Sequence, residues 1–277
     1  MTIRGKVALV VGASGAIGQA IALEFAREGA IVAVTSRSAL KSGLMEQIST
    51  LNAGCKWFQL DVRDLASVQK VIGAADRELG PLEILINAAG AYGPIGPVAE
   101  NDPEHWADAV QTNIVGAFNL VYAVVPVMSS HGGGRIVHFS GGGGAYGRPF
   151  FSCYSSCKAA VVRFTESAGK ELAEKNIFMN AIAPGPVKSG MWEELRAAGA
   201  AAGGDALREL DSIDKTGGVP PERAARLAVL LAATQVPIAG RVISAVWDDW
   251  EHLELHADKL IRSEAWTLRR VPLHGEL

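Results

Sequence analysis

The feature that most constrains the fold lies within the first twenty residues, where an apolar run leads into closely spaced glycines. Val7–Val11 is apolar throughout, Gly12, Gly15 and Gly18 follow, and a helical pattern runs from Ala16 to Glu28. Uninterrupted apolar runs are typical of strands buried on both faces of a parallel sheet. The glycines allow a tight turn close to a pyrophosphate, and the free N–H groups of the next helix attract it. The sequence therefore predicts a strand–turn–helix unit that binds a dinucleotide.

Strand and helix patterns alternate along the rest of the chain. The further apolar runs are Ile31–Val34, Trp57–Leu60, Leu82–Ile86, Arg135–Phe139, Phe178–Ile182 and Arg241–Val246. This alternation predicts an α/β protein with a doubly wound parallel sheet, the Rossmann fold, in three α/β/α layers. We expect residues 1–246 to form a single domain. Residues 247–277, richer in charge and Trp, are expected to be a C-terminal extension that packs on this domain or on a neighbouring subunit.

Composition argues against several function classes. The net charge of -3 provides no basic field for nucleic acid or for an anionic membrane. The longest apolar run, Ile114 to Met128, contains Asn119 and Pro126 and predicts a buried helix rather than a membrane span. Three cysteines without CxxC spacing, and a start without a signal-peptide pattern, favour a reducing compartment. We therefore expect a cytoplasmic protein that binds neither nucleic acid nor membrane.

The end of the second predicted strand indicates which dinucleotide is bound. A carboxylate at this position accepts hydrogen bonds from the adenosine ribose and repels a 2′-phosphate. This chain has Thr35, Ser36 and Arg37 there and no acidic residue. Ser36 and Arg37 offer a hydroxyl and a guanidinium to a 2′-phosphate. The sequence predicts NADP(H) in preference to NAD(H).

A tyrosine and a lysine, Tyr154 and Lys158, stand four residues apart and share one face of a predicted helix. A tyrosine hydroxyl ordinarily titrates near pH ~10. A neighbouring ammonium favours the phenolate and lowers that pKa. The pair therefore predicts a general acid/base that exchanges a proton with a carbonyl or alcohol oxygen.

Three further motifs follow the third, fourth and sixth predicted strands: Asp61-Val62, Asn87-Ala88-Ala89-Gly90 and Ala183-Pro184-Gly185. A fourth, Asn113, lies in the long predicted helix. With Tyr154 and Lys158, they make the chain resemble the short-chain dehydrogenase/reductase family over residues 5 to about 245. The resemblance implies a reversible carbonyl reductase or alcohol dehydrogenase with Tyr154 as general acid/base. It also implies that Lys158 binds the nicotinamide ribose and that Asn113 holds a water in a proton relay.

The turn, the second strand and the family motifs together define a set of expected cofactor-binding residues. They are Gly12, Ser14, Gly15, Ala16, Ile17, Gly18, Ser36, Arg37, Asp61, Val62, Asn87, Ala88, Ala89, Gly90, Tyr154, Lys158, Pro184, Gly185 and Val187. The segment from about Val187 to Thr216 is expected to be a substrate lid. The resemblance also implies a homodimer or homotetramer built through two long helices.

The chain departs from the family pattern at the catalytic serine. The family places it thirteen residues before the tyrosine, where this chain has Gly141, and Ser140 stands one residue earlier. Either the flexible run Gly141–Gly144 lets Ser140 point into the site, or the position is truly glycine. In the second case Tyr154 works with Lys158 and another polar group or water. Adjacent strand residues face opposite ways, so the single residue matters, and we favour Ser140.

Four residues are expected to line the substrate site: Tyr92, Gly141, Tyr146 and Trp192. The two tyrosines follow the fourth and fifth strands, whose carboxyl ends face the ligand in this fold. Aromatic faces stack on sugars and rings, so a carbohydrate or another polar ring compound is a candidate small-molecule substrate. No metal is expected, because His252 and His256 have no third ligand.

Two alternative functions stay open. The spacing of Gly12, Gly15 and Gly18 is commoner in longer family members that bind sugar nucleotides, which favours a non-redox epimerase or dehydratase on the same fold. Gly141 at the serine position favours a non-catalytic NADP-sensing or scaffold protein. The short chain argues against the first alternative, and the intact Tyr154 and Lys158 argue against the second.

Overall fold

The computed structural model describes residues 2–40 and 43–270 and contains one seven-stranded parallel sheet. The strands are β1 (Val7–Val11), β2 (Ile31–Ser36), β3 (Lys56–Gln59), β4 (Leu82–Asn87), β5 (Gly134–Phe139), β6 (Ile177–Ala183) and β7 (Val242–Ser244). They lie in the order β3-β2-β1-β4-β5-β6-β7. All seven predicted strands are present, with ends that differ from the predictions by no more than two residues.

Helices cover both faces of the sheet. They are α1 (Ala16–Arg27), α2 (Leu44–Leu51), α3 (Leu65–Leu79), α4 (Pro103–Val110), α5 (Gly116–Ser130), α6 (Ser152–Ala173), α7 (Gly190–Ala198), α8 (Gly203–Thr216), α9 (Pro221–Ala233) and α10 (Ala257–Arg262). A π-helical turn, Gln111–Val115, joins α4 to α5. One apolar core contains side chains of α1, α2 and α9, and the other contains side chains of α3, α5 and α6. The predicted three-layer doubly wound fold is confirmed.

The side chains of β1 alternate between the two faces of the sheet, so this strand contributes to the apolar core on each face. All five residues of β1 are buried. Ala8 and Val10 belong to the core with α1 and α9, whereas Val7, Leu9 and Val11 belong to the core with α3 and α5. Successive strand residues point to opposite faces, so a central parallel strand must be apolar at every position.

The strand order reverses at β1, and this brings two loops together at the carboxyl ends of the strands. The chain proceeds from β1 through β2 to β3 on one side and then returns to β4 on the other. Val11 of β1 pairs with Asn87 of β4. Gly12 follows with a φ of 84°, and a Cβ there would lie 2.7 Å from the nitrogen of Ala89. Only glycine fits this approach, which forms the crevice where ligands bind in such sheets.

The described part of the C-terminal extension packs on the same domain. Trp250, Leu253 and Leu260 are buried in the core that contains α9. The backbone nitrogen of Val242 in β7 donates to the Trp266 carbonyl oxygen at 2.8 Å. Residues 271–277 of the predicted extension lie outside the described residues.

One continuous helical stretch, Pro103–Ser130, is long and apolar enough to cross a membrane by length and composition. Of its most apolar eighteen-residue window, 44% is buried inside the protein. Leu120 and Val124 on α5 lie in the core beneath the sheet, beside α3. A core helix meets the same length and composition criterion, so this stretch carries no separate evidence for a membrane protein.

Candidate active site

A groove of about 290 Å³ runs along the crevice between the β1 and β4 loops. It is lined by Val11, Gly12, Ser14, Gly15, Ser36, Arg37, Leu60, Asp61, Val62, Ala88, Ala89, Gly90, Ala91, Thr112 and Glu194. Ten of these are residues that the sequence predicts for cofactor binding. Gly15 precedes α1, so the free N–H groups at the start of that helix lie beside the groove.

Close packing within the turn accounts for its glycine spacing. A Cβ at Gly18 would overlap the carbonyl oxygen of Gly12, whereas a Cβ at Gly15 would have its nearest neighbour at 3.6 Å. Gly18 is therefore required by the contact of helix α1 with the turn, and Gly12 by the contact of the turn with the β4 loop. Gly15 has room above it, which leaves the backbone accessible to a ligand on the groove side.

The far end of the groove carries the predicted selectivity residues. Arg37 is exposed at the rim, and Ser36 is buried behind it. The Ser36 hydroxyl accepts from the Trp57 indole nitrogen at 2.9 Å and donates to the Ser38 carbonyl at 2.6 Å. Its bonding is therefore largely satisfied within the protein, and Arg37 is the more available group for an anion.

Asp61 lies at the same rim in a close ion pair with Arg63. The guanidinium of Arg63 donates to both carboxylate oxygens of Asp61, at 2.7 and 3.0 Å. These bonds hold the pKa of Asp61 below its ordinary value, with a smaller contribution from the charge of Arg37. The single carboxylate at this end is thus neutralised by Arg63, a residue that sequence reasoning did not select.

Asn87, at the end of β4, shapes the middle of the groove from behind. Its Oδ1 accepts from the Ala89 nitrogen at 3.2 Å, and its amide nitrogen lies 3.2 Å from His138 Nδ1. His138 is buried, and its Nε2 has no hydrogen-bond partner in the described part of the chain. Burial lowers the pKa of His138 to about 4, so the imidazole is neutral at physiological pH. His138 is a structural histidine of the sheet.

Two polar side chains converge beside Gly90. A Cβ at Gly90 would lie 3.0 Å from Asn113 Oδ1 and 3.2 Å from Lys158 Nζ. Asn113 sits in the π-helical turn, and its amide nitrogen donates to the carbonyls of Ala91 and Ala109, each at 2.9 Å. Lys158 donates to the Phe139 carbonyl at 3.0 Å. The structure therefore brings the predicted Asn113 and Lys158 together next to the groove.

Tyr154 and Lys158 lie on one face of α6, as the spacing predicts. Lys158 Nζ is 5.5 Å from the centroid of the Tyr154 ring. Burial raises the pKa of Tyr154 above its ordinary value, and burial lowers the pKa of Lys158 to about 8. Desolvation dominates the pKa of the phenol in this structure, so its net shift is opposite to the one that the spacing to Lys158 predicts.

A second cavity, of about 360 Å³, adjoins Tyr154. All four predicted substrate residues line it: Tyr92, Gly141, Tyr146 and Trp192. Tyr92 packs edge-on against Tyr154, with 4.7 Å between ring centroids. Ile17, Pro184, Gly185 and Val187, predicted for cofactor binding, line this cavity as well. Ala16, Gly18, Asn87, Asn113 and Lys158 line neither cavity and support the walls from behind.

Comparison with known proteins identifies the family. A family model described as short chain dehydrogenase matches residues 6–200. This chain is a member of the short-chain dehydrogenase family. Its relatives include 2,3-dihydro-2,3-dihydroxybenzoate dehydrogenase of Bacillus subtilis (strain 168), which is 35% identical over 192 residues, 68% of this chain and 72% of that protein. The 3-oxoacyl-[acyl-carrier-protein] reductase FabG of Thermotoga maritima is 35% identical over 197 residues, 70% of this chain and 79% of that protein.

Solved structures agree with this assignment. A variant of actinorhodin polyketide ketoreductase with NADPH superposes with a TM-score of 0.77 at 30% identity, covering 86% of this chain and 95% of that one. An NAD+-bound xylitol dehydrogenase superposes with a TM-score of 0.79 at 25% identity, covering 88% of this chain and 98% of that one. The chain is thus a short-chain dehydrogenase, an oxidoreductase of CH–OH and carbonyl groups with NAD(P).

At the position where the chain departs from the family's catalytic serine, the structure shows how Gly141 and Ser140 lie relative to Tyr154. A Cβ at Gly141 would overlap the phenol oxygen of Tyr154 and lie 3.1 Å from its Cζ. Ser140 also lines the substrate cavity, but its Oγ lies against Gly144, whose nitrogen donates to the Gly141 carbonyl at 2.9 Å. No hydrogen bond joins Ser140 to Tyr154 among the described residues. Gly141 is thus the residue that faces the phenol.

Sequence reasoning missed several residues that line the two cavities, among them the following four, which have polar or charged side chains. Glu194 of α7 reaches the dinucleotide groove, while Arg148, Ser189 and Glu209 line the substrate cavity. Of these four, only Arg148 could have been selected from the sequence, because it is a charged residue in the glycine-rich loop after β5. The others belong to the lid segment, whose placement over the sheet follows from tertiary packing.

Replacing Lys158 by Met is expected to stabilise the fold more at pH 7 than at pH 10. The folded protein releases the Lys158 proton near pH 8, whereas the unfolded chain keeps it until near pH 10.5, so wild-type stability rises with pH in that window. The difference between the two pH values should be roughly 2–3 kcal/mol. Denaturant unfolding at both values measures it, with the exposed Lys175→Met as control. If Lys158→Met changed the free energy of unfolding equally at the two pH values, the amine of Lys158 would not have the pKa lowered by burial.

Proposed function

We propose that this short-chain dehydrogenase interconverts a carbonyl and a secondary alcohol with NADP(H), using Tyr154 as general acid/base. The observation that carries the proposal is the position of the Tyr154 phenol: it lines the substrate cavity and lies one helical turn from Lys158. Lys158 in turn lies beside Gly90, which lines the dinucleotide groove. A proton donor at the junction of the two cavities is what carbonyl reduction requires.

The groove fits a dinucleotide, because backbone at Gly12 and Gly15 can approach it closely. The predicted residues along the groove would hold the pyrophosphate and adenosine, with Pro184, Gly185 and Val187 near the nicotinamide end. The bound cofactor supplies or accepts the hydride. The exposed Arg37 supports the choice of NADP(H), because a guanidinium can pair with a 2′-phosphate while Arg63 neutralises Asp61.

The burial of the phenol supports a role for Tyr154 as the proton donor when the carbonyl is reduced. Tyr154 is protonated at neutral pH, because burial raises its pKa, and can donate to a carbonyl oxygen. Lys158 is mostly an ammonium at neutral pH, since its pKa is about 8, and stabilises the phenolate that remains. Ser140, on the cavity wall, is proposed to hydrogen-bond the reacting oxygen. Asn113 is proposed to hold the relay water that returns a proton through Lys158.

The aromatic lining of the cavity supports a polar ring compound as substrate, with carbohydrates among the candidates. Tyr92, Tyr146 and Trp192 offer aromatic surface, and the two tyrosines also offer hydroxyls. The indole nitrogen of Trp192 already donates to the Val187 carbonyl. The Bacillus subtilis relative is named for a dihydroxybenzoate derivative and the Thermotoga maritima relative for an oxoacyl group. We propose that the lid, residues 187–216, closes this cavity, and that the protein acts in the cytoplasm.

We further propose a homodimer or homotetramer that is formed through α5 and α6. Phe118 and Tyr122 on α5 are 51% and 54% exposed. Their rings lie 5.9 Å apart, and Phe118 lies 6.4 Å from Phe164 of α6. This aromatic patch spans both helices, and contiguous exposed apolar surface marks protein contacts.

Replacing Tyr154 by Phe is expected to reduce NADPH consumption with carbonyl substrates by roughly 100- to 10,000-fold, because the proton donor is lost. The ring would keep its edge-on contact with Tyr92, so NADPH binding should be retained. Absorbance at the NADPH band with a panel of carbonyl compounds measures the rate, and Tyr122→Phe is the matched control. NADPH binding without consumption in wild type would favour a sensing or scaffold protein, and isomerised product without net consumption would favour an epimerase.

Replacing Arg37 by Ala is expected to weaken NADPH binding by roughly 10- to 100-fold, because one charge-assisted contact to the 2′-phosphate is removed. NADH binding should change by less than ~3-fold, since NADH has no such phosphate. Titration calorimetry measures both constants. Arg27→Ala, an exposed arginine of α1 paired with Glu24, serves as control. NADH affinity equal to that of NADPH in wild type would refute the NADP(H) assignment.

Introducing Glu at both Phe118 and Tyr122 is expected to dissociate the oligomer at micromolar concentration, because two like charges would enter the contact on each subunit. Sedimentation velocity of wild type and variant measures the change in mass. Leu255→Glu, at a residue that is 80% exposed in the C-terminal extension, is the control. A wild-type monomer, or a variant with unchanged mass, would refute this interface.

A further inference from the structure

An ion pair lies in the wall of the substrate cavity, a few residues from Tyr154. Arg148, in the loop between β5 and α6, places its Nη2 2.6 Å from Oε2 of Glu209 on the lid helix α8. The side chains are 15% and 38% exposed, and both line the cavity. Holding charges partly out of water is costly, and an exposed pair contributes little stability. A guanidinium held in this cavity therefore requires an explanation beyond stability.

The guanidinium of Arg148 is held in a fixed orientation. Its Cζ lies 4.0 Å from the centroid of the buried Phe151 ring at the start of α6. Between them, Phe150 has a φ of 68°, and its ring packs on Gly203 of α8. A planar, oriented guanidinium loses little entropy when it binds an anion. The loop thus presents Arg148 as a preorganised binding group.

The guanidinium also keeps donors available on the cavity side. Within the described residues, its hydrogen bond to Glu209 uses Nη2. Nη1 lies beside Gly142, where a Cβ would be 3.2 Å away. The preceding residue, Gly141, faces the phenol oxygen of Tyr154. Arg148 and Tyr154 therefore approach the same stretch of glycine backbone within one cavity.

We propose that Arg148 is a specificity-determining residue that binds a carboxylate on the carbonyl substrate. The proposal rests on the proposed function and narrows its substrate class to carbonyl compounds that carry a carboxylate several bonds from the reacting carbon. Glu209 holds the guanidinium in place before substrate binds, and its negative charge weakens the binding of the incoming anion. The carboxylate itself is unchanged by the reaction, in which the carbonyl carbon gains a hydride and its oxygen gains the Tyr154 proton.

A matched pair of substrates isolates the charge. The initial rates of NADPH consumption with 3-oxocyclohexanecarboxylate and 3-oxocyclohexanecarboxamide give the acid-to-amide ratio of kcat/KM. Arg148→Gln is expected to lower this ratio by roughly 30-fold, because a charge-assisted bond is lost. Glu209→Gln should raise it through a lower KM for the acid. Arg196→Gln breaks a second lid ion pair, Arg196–Asp214 at 2.9 Å outside the cavity, and should leave the ratio unchanged.

If Arg148→Gln lowers kcat/KM equally for both substrates and leaves the acid-to-amide ratio unchanged, the proposal is overturned, because Arg148 would then only hold the lid in place. A binding measurement that needs no turnover distinguishes failure of the anion site from failure of the proposed reaction. Calorimetric titration of the NADP+-bound protein with cyclohexanecarboxylate should show binding to wild type that is lost in Arg148→Gln. That result without turnover of either carbonyl compound would refute the proposed reaction and support the anion site. Turnover without acid preference and without carboxylate binding would refute the anion site alone.

Discussion

The contact of the Gly12 turn with the backbone at Ala89 is the constraint on which the rest of the site depends. Strands β1 and β4 are neighbours although three crossover connections separate them along the chain, and their ends are in register at Val11 and Asn87. Because no Cβ intervenes at Gly12, the two loops meet and form one continuous groove. The same β4 loop then continues to Gly90, beside Asn113 and Lys158. A single backbone approach thus shapes the groove and sets the surroundings of Asn113 and Lys158.

The candidate active site contains two buried ionisable groups, Tyr154 and Lys158, and burial opposes the charged form of each. Burial raises the pKa of Tyr154 and keeps the phenol neutral, whereas burial lowers the pKa of Lys158 to about 8 and makes its ammonium costly. The hydrogen bond from Lys158 to the Phe139 carbonyl partly compensates this cost. Such a site is poised for proton transfer because neither charged form is strongly stabilised before ligands bind. The protein holds this arrangement on the rigid helix α6 and strand β5.

Local patterns in the sequence were sufficient for the sheet, the glycine turn and the groove. Apolar runs located central strands such as β1, because burial on both faces leaves no polar position there. The edge strand β3 is mostly exposed, and only its Trp57 and Phe58 gave a signal. Contacts between distant residues could not be predicted in this way. Arg148 and Glu209 are sixty-one residues apart, and the Ser36 hydroxyl is occupied by Trp57 from the neighbouring strand. The effect of burial on Tyr154 also depends on tertiary packing, which the spacing to Lys158 does not encode.

The C-terminal extension contacts the edge strand β7 and so changes what one edge of the sheet presents to other chains. A parallel sheet ends in two strands with unpaired backbone groups, which can recruit another chain. At β7 the carbonyl of Trp266 already accepts from Val242, and the guanidinium of Arg241 donates to the Ala265 carbonyl at 2.7 Å. At the opposite margin, β3 has only four residues and carries the charged Lys56. Both edges therefore carry features that disfavour the addition of a strand from another chain.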